Sequence, residues 1–246
     1  MPFALDLDGV IWLADAPIPG AAEAVARLRA AGEPVVFVTN NSSQCVGDVE
    51  AKLARQGIPA EGDVVTSARA AAALVEPGER VLVCGGPGVT EAIEERGATP
   101  VRDGDADAVL VGFHRDFDYE RLRIASTAVR RGARLLATND DATYPTPDGP
   151  IPGGGAILAS IVTATGVSPI VAGKPNGPMA DLVRARLGSE GMMVGDRPDT
   201  DGRFARVLGY RFALVHTGVT LAHEVVDPEP DVIAADLASL VDDLVG

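Results

Sequence analysis

Short apolar runs alternate with segments of helical period along almost the whole chain, the pattern of a parallel sheet with helices packed on its faces. Phe3–Leu5 reads as a strand. A helix is expected over about Ala21–Ala31 after the Pro19-Gly20 break, then a strand over Pro34–Thr39 and a helix near Val46–Gln56 that Gly57 stops. A turn-rich joint, Glu76-Pro77-Gly78-Glu79, opens a second series. It comprises strand Arg80–Cys84, helix Val89–Arg96, strand Ala108–Gly112, helix Tyr119–Arg131, strand Arg134–Thr138 and, after the break at Gly153-Gly154-Gly155, helix Ala156–Thr165. The third series runs through strand Pro169–Ala172, helix Met179–Leu187, strand Gly191–Gly195, helix Arg203–Leu208, strands Arg211–Val215 and Asp231–Ala234, and a helix over Leu237–Leu244. Periodicity leaves open whether the first and third series share one sheet.

At 246 residues and 46% hydrophobic content the chain can bury a substantial core, and disorder is excluded. Aromatics make up only 4%, so that core must be built mainly of Ala, Val and Leu. A net charge of -14 argues against nucleic acid or an anionic membrane as a partner, and means that any anionic ligand needs a locally positive site. The N-terminus has no basic stretch leading into an apolar segment and a cleavage site, so no secretory signal is expected. No apolar run approaches the ~18 residues of a membrane span. Cys45 and Cys84 are far apart and match no metal or redox spacing; they read as thiols of a cytoplasmic protein and not as a disulfide.

Four polar stretches fall at the carboxyl ends of expected strands, the edge at which open α/β sheets bind ligands. They are Asp6-Leu7-Asp8-Gly9, Thr39-Asn40-Asn41-Ser42-Ser43, Gly173-Lys174-Pro175 and Gly195-Asp196-Arg197-Pro198-Asp199-Thr200-Asp201. An apolar strand that ends in two carboxylates carries a desolvation cost unless a cation or donors compensate it. Clustered aspartates suit a hard cation such as Mg²⁺, whose shell is completed by water and phosphate oxygens. Thr39, Asn40 and turn N–H groups suit a phosphoryl oxygen, and Lys174 adds positive charge. One aspartate could attack as a nucleophile while the other moves a proton.

In this order Asp6-x-Asp8-Gly9-Val10, Thr39-Asn40, Lys174-Pro175 and Gly195-Asp196 with Asp201 resemble the four motifs of the haloacid-dehalogenase-like (HAD) phosphatase superfamily. Ala137-Thr138-Asn139-Asp140, Pro145, Gly149 and Pro152-Gly153-Gly154-Gly155-Ala156 are similar to the NagD or p-nitrophenyl-phosphatase-like branch, which inserts an α/β cap between the second and third motifs. The resemblance implies a Rossmann-like parallel-sheet core from about 1–78 and 169–246, with a smaller α/β cap over 79–168. It further implies an Mg²⁺-dependent phosphatase in which Asp6 forms an aspartyl-phosphate and Asp8 protonates the leaving alcohol and later activates water. Asp6, the Asp8 carbonyl and Asp196 would hold the metal, with Asp201 helping directly or through water. Thr39, Asn40 and Asn41 would bind the phosphoryl group, and Lys174 would neutralise charge on it and on Asp6. Asp8 favours a phosphatase over the dehalogenases of the superfamily, which lack an acid at that position.

The segment from Thr138 to Pro145 resembles the branch's specificity loop, which makes Asn139 and Tyr144 candidate substrate contacts. The implied substrate is a small phosphate monoester, such as a sugar, glycerol or glycolate phosphate or p-nitrophenyl phosphate, because a cap admits small molecules more readily than a protein loop. Alternatives are a phosphotransferase or mutase that keeps water out, and a receiver-like module that only accepts phosphate on Asp6. Pairing of two copies through the cap is a further implied assembly that no residue requires. After Asp201 the branch usually has an apolar residue and then small ones; here Gly202 is followed by Phe204, and Leu208 stands where Ala is common, so an altered packing is expected there. Asp199, the three histidines and Trp12 read as solvent-facing or packing residues.

Overall fold

A computed structural model describes residues 1–14, 16–144, 146 and 149–245 and divides them into two compact units. The first comprises Met1–Thr39, Gly47–Val65 and Lys174–Gly246; the second comprises Asn40–Val46 and Thr66–Gly173.

In the first unit, among the described residues, a six-stranded sheet runs in the order Val232–Ala234, Arg211–Val215, Met192–Gly195, Phe3–Asp6, Val35–Thr39, Val64–Thr66. The first five of these strands are parallel. Residues from distant parts of the chain thus share one sheet, with Phe3–Asp6 at its centre. Phe3, Ala4 and Leu5 are buried, as a strand covered on both faces requires. On one side Phe3–Asp6 pairs with Val35–Thr39, the next strand of this sheet along the chain, and on the other with Met192–Gly195. The strand order reverses at Phe3–Asp6, and Asp6 lies at the carboxyl end of this switch point, where a parallel sheet opens a crevice. Leu28, Leu53, Phe37, Phe204 and Phe212 fill the layers around the sheet.

The second unit carries a five-stranded parallel sheet, ordered Ile170–Val171, Arg134–Ala137, Ala108–Val111, Arg80–Cys84, Thr99–Val101. Helices Tyr119–Arg130 and Gly154–Thr165 supply Ala125, Ala128, Val129, Ile157, Leu158 and Ile161 to a core that also takes Leu82, Val109 and Leu135. Helix Ser67–Ala72 packs against Pro87–Glu95.

The division departs from the joints expected at 78/79 and 168/169. Ile170–Val171 hydrogen-bonds to Arg134–Ala137 and closes the edge of the second sheet, so the joint falls at 173/174. Residues 66–78 also go with the second unit, as does the short stretch Asn40–Val46. Side-chain bonds explain the last assignment. The Asn40 carbonyl accepts from Ser67 Oγ (2.6 Å) and from Asn139 Nδ2 (2.7 Å), and Ser42 Oγ meets Thr138 Oγ1 at 2.9 Å in a buried position. Bare glycines let the backbones touch: a Cβ at Gly88 would strike the Gln44 carbonyl, and one at Gly86 the Ser43 carbonyl. Neither interaction has a periodic signature.

The strands Val64–Thr66 and Thr99–Val101 and the helix Ser67–Ala72 add to the expected elements. Gly154 and Gly155 are not a break before a helix. They form its first turn, which starts at Gly154, and Cβ atoms at Gly153 and Gly155 would collide with the backbone carbonyls of Asp141 and Asp140. Among the described residues no helix is long and apolar enough to cross a membrane.

Candidate active site

The strand Phe3–Asp6 delivers Asp6, and a tight turn follows it. The Leu7 carbonyl accepts from the N–H groups of Val10, Ile11 and Trp12. Gly9 makes this turn possible with φ +83°, a region costly to other residues. It is also glycine for space, because a Cβ would run into the Asp196 carboxylate. Asp196 lies one residue beyond Met192–Gly195, the neighbouring strand. After it the chain makes one wide turn over Pro198–Gly202, in which the N–H groups of Thr200, Asp201 and Gly202 all converge on the Arg197 carbonyl. That turn brings Asp201 back under Gly195, where again only hydrogen fits.

Lys174 joins these elements. Its Nζ lies 2.8 Å from Asp6 Oδ1 and 2.7 Å from Asp201 Oδ1, with 2% of its side chain exposed. Asp6 Oδ1 also accepts the N–H of Leu7 at 2.8 Å, and Asp201 Oδ2 accepts that of Arg197 at 3.2 Å. Asp196 Oδ2 accepts from the Val219 N–H at 2.7 Å. Thr39 is buried at the end of Val35–Thr39, one residue past Val38, the register partner of Asp6.

Carboxylate oxygens of Asp6, Asp196 and Asp201 come within 4.8 Å of one another, all three residues being buried. Against their three negative charges stands the one positive charge of Lys174. Burial pushes the Asp196 carboxyl up to about 8, helped by the charges of Asp201 and Asp6. Burial and then the Asp6 charge push Asp201 up to about 6. Asp6 is also raised, by burial against the opposing pull of Lys174. Burial pulls the Lys174 ammonium down, but Asp201 and Asp6 outweigh it and hold the group above its ordinary value. Asp196 Oδ1 is buried without a hydrogen-bond partner. A surplus of buried negative charge with an orphaned acceptor fits a divalent cation that prefers oxygen.

The Asp8 carboxylate is engaged elsewhere: its Oδ1 accepts the indole N–H of Trp12 at 3.0 Å. For Asp8 the expected ligand atom is the main-chain carbonyl. Asp199 is exposed, with Arg197 Nη2 3.6 Å away. Around Asp201 the unusual residues form their own interface. Phe204 and Leu208 are fully buried on helix Arg203–Leu208, and hydrogen in place of a side chain at Gly202 admits the ring of Phe212 and Pro228.

The remaining expected site residues lie together in the second unit. Asn40 Nδ2 donates to Asp141 Oδ2 at 3.2 Å, and Asn41 Nδ2 to Tyr144 Oη at 3.4 Å. Asn41 Oδ1 accepts from the N–H and hydroxyl of Ser43, forming a local turn. Asn139 Nδ2 donates to the Asn40 carbonyl. The ring of Tyr144 stacks on Phe113, with centroids 4.6 Å apart and planes 6° from parallel. Pro145 lies outside the described residues. Sequence reading missed Phe113 and also the turn Thr217-Gly218-Val219, which wraps Asp196 so closely that Gly218 can bear no Cβ. Thr217 Oγ1 donates to the Gly9 carbonyl and ties the two turns together. A glycine between two expected elements was the only signal available.

Comparison with known proteins places these residues in a family. Residues 3–99, which hold Asp6, Asp8, Thr39 and Asn40, match the family model of the haloacid dehalogenase-like hydrolases, and residues 171–240, which hold Lys174, Asp196 and Asp201, match a second model of HAD-like hydrolases. The chain belongs to the haloacid dehalogenase-like hydrolases. Within that family it is 38% identical to the 5'-nucleotidase YutF of Bacillus subtilis, over 92% of this chain and 90% of the relative. It is 38% identical to the D-glycerol 3-phosphate phosphatase of Mycobacterium tuberculosis, over 97% of this chain and 70% of that one. The crystal structure of the mycobacterial glycerol phosphate phosphatase in complex with magnesium superposes with a TM-score of 0.90, covering 97% of this chain and 76% of that chain at 37% identity. The 4-nitrophenylphosphatase of Thermotoga maritima gives 0.91, with 98% and 96% covered at 33% identity. The HAD-like hydrolase fold therefore extends over both units.

Proposed function

We propose that this HAD-like hydrolase is a phosphatase that cleaves small-molecule phosphate monoesters with Mg²⁺, through an aspartyl-phosphate on Asp6. The observation that carries this reading is the buried constellation of Asp6, Asp196, Asp201 and Lys174 at the switch point of the sheet. Relatives named for a nucleotide, glycerol phosphate and 4-nitrophenyl phosphate support the substrate class.

Asp6, Asp196 and the main-chain carbonyl of Asp8 hold the cation. Both oxygens of Asp201 are engaged by Lys174 and by the Arg197 N–H, so Asp201 acts through its charge and through water. When bound, Mg²⁺ neutralises the carboxylates and draws charge from the phosphoryl oxygens. Lys174 keeps Asp6 ionised and fixes Oδ1, which leaves Oδ2 to attack phosphorus. As that bond forms, the ester P–O bond breaks and its electron pair stays on the leaving oxygen, which takes a proton from Asp8. Asp8, now a carboxylate, removes a proton from water as the water oxygen attacks phosphorus and the bond to Asp6 breaks. Thr39 and Asn40, with Asn41, bind phosphoryl oxygens, while Asn139 and Tyr144 contact the remainder of the ester. The chain works in the cytoplasm, in keeping with the buried, unactivated thiol of Cys84, which burial pushes up to about 12. A homodimer formed through the second unit belongs to the same proposal.

The test is release of inorganic phosphate from 4-nitrophenyl phosphate, with Mg²⁺ and with EDTA. Multiple turnovers that need Mg²⁺ and vanish in Asp6→Asn, with the circular dichroism spectrum kept, are expected. Full activity in Asp6→Asn sinks the mechanism, a single equivalent of bound phosphate points to a receiver-like module, and phosphate passed only to a second alcohol points to a phosphotransferase.

A further inference from the structure

Trp12 does more than fill space. The Leu7–Trp12 turn closes so tightly that residue 12 returns beside residue 8: the Gly9 N–H donates to the Trp12 carbonyl at 2.7 Å, and the Trp12 N–H to the Leu7 carbonyl at 3.1 Å. Trp12 is 4% exposed, and the one polar atom of its ring, Nε1–H, donates to Asp8 Oδ1 at 3.0 Å. On the ring face sits the Lys52 ammonium, 4.1 Å from the centroid, which also donates to the Ala14 carbonyl at 2.9 Å. Lys52 comes from the helix Val46–Arg55, so an element remote in sequence clamps the ring from outside.

We propose that Trp12 is a positioning residue for the proton transfer made by Asp8, held in register by Lys52. The inference rests on the phosphatase reading above, in which Asp8 is the general acid. An acid on a turn has two equivalent oxygens and a rotatable side chain, and must present one proton in one direction. The indole can only donate. Its bond makes Oδ1 the acceptor oxygen of the carboxyl group, so the proton rides on Oδ2. From there it passes to the leaving oxygen as the ester P–O bond breaks. The cation over the ring stops the indole from tilting and carrying Oδ1 away.

The consequence depends on the leaving group. Phenyl phosphate and 4-nitrophenyl phosphate have nearly one shape, but phenolate, whose conjugate acid has a pKa of about 10 as in tyrosine, needs the proton far more than the acidic nitrophenolate does. Trp12→Phe is expected to lower kcat/KM on phenyl phosphate about tenfold and on 4-nitrophenyl phosphate by no more than about threefold. Asp8→Asn should show the same bias on a larger scale, about a hundredfold or more on phenyl phosphate. Lys52→Met, which keeps the indole, should shift the ratio of the two substrates in the same direction by about threefold, and gives the answer if Trp12→Phe does not fold. Trp12 is the single tryptophan of the chain, so its fluorescence reports the contact, and the emission maximum should move in Asp8→Asn. Equal losses on both esters in Trp12→Phe, or an emission spectrum indifferent to Asp8→Asn, would overturn the proposal. Failure of the parent reading looks different: the unmodified protein then releases phosphate from neither ester, or Asp8→Asn shows no leaving-group bias.

Discussion

At the scale of single residues, the site is governed by what glycine leaves out. Gly9, Gly195 and Gly218 stand where a Cβ would enter the Asp196 or Asp201 carboxylates, and so let backbone close around charged groups. The resulting electrostatic strain is measurable. A carboxyl raised by burial binds a proton more tightly in the folded state than in the unfolded chain, so it costs stability as pH rises from its unfolded value of about 4 to its folded one, here about 8 for Asp196. In EDTA, Asp196→Asn is therefore expected to gain in melting temperature relative to the unmodified protein as pH increases from 4 to 8, followed by calorimetry at several pH values. A difference that is flat with pH would show that Asp196 is not held in this way. The sequence alone showed which aspartates belong at strand ends. It could not show that Trp12 rather than solvent meets Asp8, because an indole four residues along a turn has no periodic signature.

At the scale of elements, buried apolar runs were the most legible feature. Arg80–Cys84, Arg203–Leu208 and Arg211–Val215 lie where hydrophobic pattern places them, and most other expected elements differ only at their ends. Short elements escaped because three residues such as Thr99–Val101 carry too little pattern to be told from a loop. The helix Arg203–Leu208 shows how context replaces propensity. With six residues it is too short to be stable by itself, and the wholly buried side chains of Phe204 and Leu208 hold it. Its unusual residues are thus compensated, Gly202 by the ring of Phe212 and Phe204 by full burial. Phe204→Ala is expected to cost about 3–5 kcal/mol in urea unfolding. A loss below about 1 kcal/mol would mean that the helix is held some other way.

At the scale of the molecule, Asp6, Asp196, Asp201 and Lys174 come from three parts of the sequence and meet only because the strand order reverses at Phe3–Asp6. A cation bound there favours the folded chain alone. At about a hundred times its dissociation constant it adds about 2.7 kcal/mol, a rise of roughly 5–10 °C in melting temperature for a protein of this size. Differential scanning calorimetry with and without saturating Mg²⁺ checks this, and an unchanged transition would remove the metal from the site. The same rise should be absent in Asp196→Asn, which lacks one of the ligands.

The sequence by itself determined the α/β class, the type and approximate place of most buried elements and the identity of the carboxylates and lysine at the strand ends, since all of these follow from local pattern and from motifs read along the chain. Tertiary structure alone decided the assignment of Asn40–Val46, residues 66–78 and Ile170–Val171 to the second unit, the close approaches that require Gly9 and Gly218, and the pairing of Trp12 with Asp8 under Lys52. Each of these depends on hydrogen bonds and steric contacts between residues whose neighbourhood is created by folding, and no periodicity in the chain records them.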